Sequence, residues 1–107
     1  GSSLNNLSLP LWETGRREEA LAVAGEAVAV RRGLAAAGPA AHLAQFIHSL
    51  NNLALLSGAA DRPEAASAAI REAVDRHREL AVLHPALSEE ELRKTGRIAA
   101  WLVSRAR

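Results

Sequence analysis

The sequence predicts an all-α fold, an α-solenoid of antiparallel helix pairs, and three observations lead to that prediction. Alanine supplies 24 of the 107 residues, and it has the highest intrinsic helix propensity. No segment alternates apolar with polar residues in the period of two that a half-buried strand requires. Finally, residues 3–41 match residues 49–87 at 18 positions without a gap, so the chain repeats itself every 46 residues.

The repeat is clearest at residues 3–7, Ser-Leu-Asn-Asn-Leu, which recur unchanged as residues 49–53. Richness in alanine cannot produce that identity. One helix pair cannot bury its own apolar stripe, so repeated pairs are expected to stack against one another. The chain is therefore predicted to form one domain, residues 1–107, with units at about 3–41 and 42–87 and a terminal helix at 88–104.

The first unit is expected to contain helices near residues 3–13 and 16–36, separated by a break at Thr14 and Gly15. Pro10 removes a backbone hydrogen bond inside the first of these helices, so that helix is expected to be short or bent. The second helix carries its buried stripe at helical spacing, at Ala20, Ala24, Ala27, Val28 and Leu34.

The second unit is expected to open with a helix near residues 40–57, because Gly38 and Pro39 form a turn that suits a helix start. This helix should end at a break over residues 57–60, Ser-Gly-Ala-Ala. Its apolar stripe consists of Leu43, Phe46, Ile47, Leu50, Leu53 and Ala54.

The next helix, near residues 62–83, has three start signals. Asp61 is placed as the capping residue, Pro63 lies in the first turn, and Glu64 lies three positions after the cap. Pro85 is expected to close the unit. The buried stripe of this helix consists of Ala66, Ile70, Ala73, Val74, His77 and Leu80.

The terminal helix is expected near residues 88–104, with Ser88 as the cap and Glu91 at the capping-box position. Leu87 should pack against Leu92 as a hydrophobic staple, and the three acids at 89–91 suit the first turn of a helix. The predicted core of the domain consists of Leu7, Ala20, Ala27, Val28, Leu34, Phe46, Leu50, Leu53, Ile70, Ala73, Val74, Leu80 and Leu92.

Two short patterns carry a resemblance to a known family. Residues 50–56, Leu-Asn-Asn-Leu-Ala-Leu-Leu, are followed by Arg-Pro-Glu-Ala-Ala at 62–66, and the first copy has Gly-Arg-Arg-Glu-Glu-Ala at 15–20. The chain resembles the tetratricopeptide repeat in its kinesin-light-chain-like form, of the bacterial type. The resemblance implies a scaffold that binds a partner protein or peptide in a concave groove and is not an enzyme. The period of 46 exceeds the roughly 34 residues of the common repeat, which implies longer helices.

Composition excludes several other functions. The formal net charge is +1 with acids and bases interspersed, which does not favour nucleic-acid binding. The chain has no cysteine, and its histidines form no metal-binding pair, so neither a metal nor a cofactor is expected. No apolar run approaches the roughly 18 residues of a membrane span, and the start lacks a charged-then-apolar leader. The expectation is a cytoplasmic protein that does not bind membranes.

Projecting the 46-residue period onto the terminal helix predicts the binding site. Lys94, Arg97 and Trp101 fall at positions equivalent to His48, Asn51 and Leu55. Arginine binds carboxylates through two hydrogen bonds and lysine adds a point charge, so the groove is predicted to take an acidic or carboxylate-bearing peptide. The predicted groove residues are Asn5, Asn6, Trp12, His48, Asn51, Asn52, Leu55, Lys94, Arg97 and Trp101.

Alternatives remain open at this stage. The repeated asparagines are also explained by side chains that bridge adjacent helices, and Lys94 and Arg97 by solvated charges in the C-terminal half of a helix. The binding surface can then lie on the convex side. The other function considered is a structural spacer or self-assembly segment of a larger multidomain regulatory protein, with homo-oligomers forming through an exposed repeat end.

Overall fold

The computed structural model describes residues 17–105, and within that range it contains helices and no strand. Each of the four helices has 21 residues. The helix expected near residues 3–13, including Pro10, lies outside the described residues. The described helices are α1 (Arg17–Ala37), α2 (Pro39–Ala59), α3 (Pro63–Leu83) and α4 (Pro85–Arg105).

The helix bounds repeat with the period found in the sequence. Both ends of α3 lie 46 residues after the ends of α1, and both ends of α4 lie 46 residues after the ends of α2. The all-α prediction is therefore confirmed, and the four predicted helices within the described range are found within three residues of their expected ends. None of the described helices combines the length and the apolar character needed to cross a bilayer.

Three of the helices begin at a proline, namely Pro39, Pro63 and Pro85. Proline suits the first helical position because the backbone N–H that it lacks would have no partner within the helix there. Its ring also forces the preceding residue out of the helical region. The preceding residues accordingly have extended backbones, with ψ near 80°: Gly38 at 78°, Arg62 at 74° and His84 at 81°. The connections before α2 and α4 are therefore single residues.

Three of the predicted boundary details were wrong. Ser57 and Gly58 do not break α2; both are buried in its last turn. The residue before α3 is Arg62, while Asp61 adopts a left-handed backbone with a φ of 59°, which aspartate tolerates better than most side chains. Ser88 is not a cap, because α4 already begins at Pro85.

The predicted staple between Leu87 and Leu92 is not at a helix start, because α4 begins at Pro85, and both side chains are exposed. The earlier start of α4 explains this. It moves the three acids at 89–91 out of the first turn, where the structure has no acidic residue, and it turns Glu91 inward. Glu91 is 7% exposed.

The main apolar core lies within α1, α2 and α3. Its cluster contains Val28, Ala35, Leu43, Phe46, Ile47, Leu50, Ala73 and Leu80, and α4 contributes none of these residues. Burial confirms Ala20, Ala27, Val28, Phe46, Leu50, Ala73 and Leu80 of the predicted core, whereas Leu53 and Ile70 are half-buried and Leu7 lies outside the described residues.

Three predicted core residues, Leu34, Val74 and Leu92, are exposed by 43–49%. Leu80, the repeat equivalent of Leu34, is buried in the apolar cluster with Leu43, whereas Leu34 lies outside that cluster. Val74 and Leu92 lack a further layer of the repeat on the α3 and α4 side among the described residues. Equivalent positions of the repeat therefore differ in burial within the described residues.

Helix α4 is attached to the other helices in a different way. Its buried residues are Ser88, Glu91 and Thr95, all of them polar. Near its C-terminal end, Trp101 and Leu102 lie against Gly58 so closely that an added Cβ there would be 2.4 Å from Leu102 Cδ2. Polar contacts and one close backbone approach thus hold α4 against α2 and α3.

Candidate functional site

A groove runs between α2 and α4, which lie side by side and parallel. The residues on each helix are spaced by three and four positions, which places them on one face. The volume of this open groove is about 270 Å³. We call this the α2–α4 groove, and its lining consists of His48, Asn51, Asn52, Leu55, Lys94, Arg97 and Ile98.

The structure brings together six of the seven predicted groove residues that lie in the described range. The exception is Trp101, whose ring packs towards Gly58, with Cζ3 2.8 Å from the point where a Cβ would be. The guanidinium of Arg105 lies over the same ring at 5.0 Å from its centroid. Trp101 therefore packs between α4 and α2 and does not line the groove. Asn5, Asn6 and Trp12 lie outside the described residues.

Asn51 connects the two helices. Its side chain is buried, and its Oδ1 accepts a hydrogen bond of 3.0 Å from Thr95 Oγ1. Its Nδ2 has no hydrogen-bond partner among the described residues, although the residue lines the groove. A buried amide donor without an acceptor costs about 1–3 kcal/mol, which an acceptor in the groove would offset. Asn51 thus bridges the two helices, and its buried Nδ2 is a donor that lacks an acceptor among the described residues.

Thr95 extends this connection to α3. Its hydroxyl carries one hydrogen, which it donates either to Asn51 or to the main-chain oxygen of Glu91 at 3.0 Å. Its remaining neighbour is His77 Nε2 at 3.0 Å, which donates to Oγ1 when the ring carries its proton on Nε2. In that tautomer Nδ1 keeps a lone pair, which has no hydrogen-bond partner among the described residues.

The environment of His77 affects its charge. Burial lowers the pKa of His77 below its ordinary value of 6.5, because the imidazolium form loses hydration; the negative charge of Glu91 opposes this shift. The neutral ring also fits the hydrogen bonds, since a second ring proton on Nδ1 would have no acceptor. His77 is therefore neutral in the assembled network at neutral pH.

Glu91 places a negative charge beside the groove. Its Oε2 accepts a hydrogen bond of 3.0 Å from Lys94 Nζ, and its Oε1 lies 4.0 Å from His48 Nδ1. The positive charge of Lys94 is therefore partly offset by a buried carboxylate. Arg97 differs, since no acid within residues 17–105 lies at ion-pair distance from it. Arg97 is the cation of this groove that is most available to an anionic group.

Sequence reasoning did not identify Glu91, Thr95 and His77 as parts of this site. For His77 and Glu91, a signal was present in the repeat. Arg31 Nη1 donates to Gln45 Oε1 between α1 and α2, and the positions 46 residues later are His77 and Glu91. That projection predicts a polar contact between α3 and α4 at this level. No group of three or more His, Asp or Glu residues in the described part of the chain is arranged to hold a metal ion.

Comparison with known proteins gives one match. A family model described as tetratricopeptide repeat matches residues 1–35 and 46–82, which together make up most of the chain. The two matched segments start almost one 46-residue period apart. Neither the curated proteins nor the solved structures contain a match to this chain.

Proposed function

Because the chain belongs to the tetratricopeptide-repeat family, whose members generally mediate protein–protein interactions, we propose that it binds a partner protein through the α2–α4 groove. Members of the family are generally non-catalytic scaffolds. The proposed activity is accordingly binding, with an extended segment of the partner lying between α2 and α4.

One observation supports this groove above the rest of the surface. The buried Asn51 has an Nδ2 donor without a partner among the described residues, and it lines the groove next to Arg97. A main-chain carbonyl of an extended peptide is the acceptor that such a donor fits. Leu55 and Ile98 add apolar surface on the two sides of the groove.

The charge of the groove favours an acidic segment. Arg97 can hold a carboxylate through two hydrogen bonds, while Lys94 contributes less because Glu91 already pairs with it. The acid of the partner is therefore placed near Arg97 and away from Glu91. The proposed contact is therefore narrowed from Lys94 and Arg97 together to Arg97 as the principal cation.

The test uses a fluorescent octapeptide library with two fixed aspartates, compared with the same library carrying asparagines. The aspartate library should bind more tightly, and Arg97→Ala should weaken its binding about tenfold, as expected for loss of a charge-assisted hydrogen bond. Arg93→Ala is the matched control, because Arg93 is exposed on the same helix and does not line the groove.

Equal affinities for the parent, Arg97→Ala and Arg93→Ala would contradict the groove proposal. A loss caused by Arg93→Ala alone would move the binding surface to another face of α4. Failure of both libraries to bind the folded protein would favour the alternative of a structural spacer or self-assembly segment. Affinity should also fall with added salt for the parent and less so for Arg97→Ala.

A further inference from the structure

Two side chains on opposite helices of the α2–α4 groove lie close together without bonding. Glu91 of α4 is buried, and its Oε1 has no hydrogen-bond partner among the described residues. His48 of α2 lies beside it, with Nδ1 4.0 Å from Oε1, which is too long for a hydrogen bond. A buried acceptor without a donor destabilises the folded state. A donor supplied at this point by His48 would therefore stabilise the contact between α2 and α4.

Two histidines lie near Glu91, and they differ in their access to water. Burial lowers the pKa of His77 below 6.5, so that this ring stays neutral at neutral pH. The side chain of His48 is 56% exposed, so its ring can rotate and remains in contact with water when it carries a second proton. A neutral imidazole has one N–H donor and a protonated imidazole has two. Protonated His48 can therefore donate from Nδ1 to Glu91 while Nε2 stays hydrated.

The charged groups of α4 and α3 around His48 decide what its proton changes. On α4, Lys94 Nζ lies 3.0 Å from Glu91 Oε2, and Arg97 lines the groove. On α3, His77 is neutral. While His48 is neutral as well, the charges of Lys94 and Glu91 largely offset each other and Arg97 is the principal cation. A proton on His48 gives the carboxylate a cation at each oxygen, so the groove gains one positive charge.

The charged groups of α1 that contact α2 do not change with pH in this range. Arg31 Nη1 donates to Gln45 Oε1, and the guanidinium of Arg32 lies over the ring of Phe46 at 5.5 Å from its centroid. Arginine keeps its proton in proteins, so both charges are constant near neutral pH. They therefore do not produce a pH dependence of their own beside that of His48.

We propose that His48 is a proton switch of the α2–α4 groove. When it is charged, it pairs with Glu91, ties α2 to α4 and strengthens the binding of an acidic segment. The effect on binding rests on the proposed function, whereas the pairing of His48 with Glu91 concerns the folded protein alone. Histidine side chains gain their charge between about pH 8 and pH 5, so affinity for an acidic segment rises as the pH falls through this range. By linkage, binding of that segment favours proton uptake by the same factor.

The pairing is tested without a ligand by a double-mutant cycle. His48→Gln, Glu91→Gln and the double variant are compared with the parent by urea unfolding at about pH 6 and about pH 8. The two substitutions should be coupled at the lower pH and independent of each other at the higher pH. His42→Gln is the matched control, because His42 lies on the same helix and does not line the groove. It should show no coupling with Glu91→Gln at either pH.

The effect on binding is tested with the octapeptide library that has two fixed aspartates. The parent should bind it about threefold more tightly at about pH 6 than at about pH 8, as expected for one added charge at a partly exposed site. Aspartates stay charged over this range, so the change belongs to the protein. His48→Gln should remove the pH dependence and His42→Gln should retain it. Circular dichroism at both pH values verifies that each variant remains folded.

Four results would overturn the inference. They are the absence of coupling at the lower pH, equal coupling at both pH values, an affinity of the parent for the aspartate library that does not rise on acidification, and a rise that His48→Gln retains. Failure of the proposed function gives a different result. The library then does not bind, or its binding does not depend on Arg97, while the pH-dependent coupling between His48 and Glu91 persists and supports the switch.

Discussion

The contacts within α1, α2 and α3 differ in kind from those that attach α4. The three earlier helices share an apolar cluster in which Phe46 and Leu50 are nearly fully buried. The buried residues of α4 are Ser88, Glu91 and Thr95, and their partners are polar groups on α2 and α3. Apolar burial is strong and tolerates many shapes, whereas a hydrogen-bonded contact depends on geometry. The first three helices thus provide stability, and α4 provides a defined groove.

Phe46→Ala should have the largest effect, because it removes the largest side chain of the apolar cluster. Such large-to-small core changes cost about 3–5 kcal/mol. Urea unfolding measures the loss, and Val82→Ala at an exposed position of α3 is the control, expected to lie within about 0.5 kcal/mol of the parent. Equal stabilities of the two variants would mean that the cluster does not carry the stability assigned to it.

Thr95→Val tests the hydrogen bonds that attach α4 to α2 and α3. It keeps the shape of the side chain but leaves Asn51 Oδ1 and His77 Nε2 without their shared partner. The free energy of unfolding should fall by about 1–3 kcal/mol. Thr95→Ser retains the hydroxyl and should recover most of that loss. A valine variant as stable as the parent would show that the hydrogen bonds contribute nothing net to the attachment of α4.

Gly58→Ala tests the close approach of α4 to α2. The added Cβ would meet Leu102 Cδ2 at 2.4 Å and Trp101 Cζ3 at 2.8 Å, so both side chains must move. Overpacking costs about 1–3 kcal/mol, partly offset by the roughly 1 kcal/mol that alanine gains over glycine in a helix.

Gly33→Ala is the matched control for that substitution, because its added Cβ would meet nothing within 4 Å beyond the neighbouring backbone of its own helix. It should stabilise the protein by about 0.5–1 kcal/mol. The two substitutions are expected to change the melting temperature in opposite directions, downwards for Gly58→Ala and upwards for Gly33→Ala. The same sign for both would indicate that α4 does not depend on a glycine at position 58.

The smallest expected effect is a pH dependence that arises from His77. Its pKa is lower in the folded protein than the 6.5 of the exposed group, so below about pH 6.5 the unfolded chain binds a proton that the folded chain does not. Stability should be unaffected by this group at higher pH and should decrease as the pH falls below 6.5. Glu91 opposes the shift, which keeps the effect small.

Urea unfolding of the parent and of His77→Gln at about pH 7.5 and pH 5.5 measures this dependence. Subtracting the stability change of His77→Gln from that of the parent removes the contribution of the other titrating groups. The parent should lose more stability on acidification than His77→Gln. A parent that loses less would show that the imidazolium form is favoured in the folded state.

The sequence by itself determined the helices, their period and much of the α2–α4 groove. Helical spacing and the 46-residue offset are local properties of the chain, and they place His48, Asn51, Lys94 and Arg97 on the facing sides of two parallel helices. Helix starts at prolines are local as well. The untested parts of the prediction, including the division into units and the identity of the partner, stay predictions.

Only the tertiary structure decided which side chains are covered and which charges remain available. Val28 is buried and its repeat equivalent Val74 is 48% exposed, although both belong to the same helical stripe. Glu91 was predicted to lie at a helix start, yet it is buried beside Lys94. Its carboxylate offsets part of the positive charge that Lys94 presents to the groove. The physical reason is that burial and pairing depend on which neighbouring layer lies opposite a residue, and a local pattern does not contain that information.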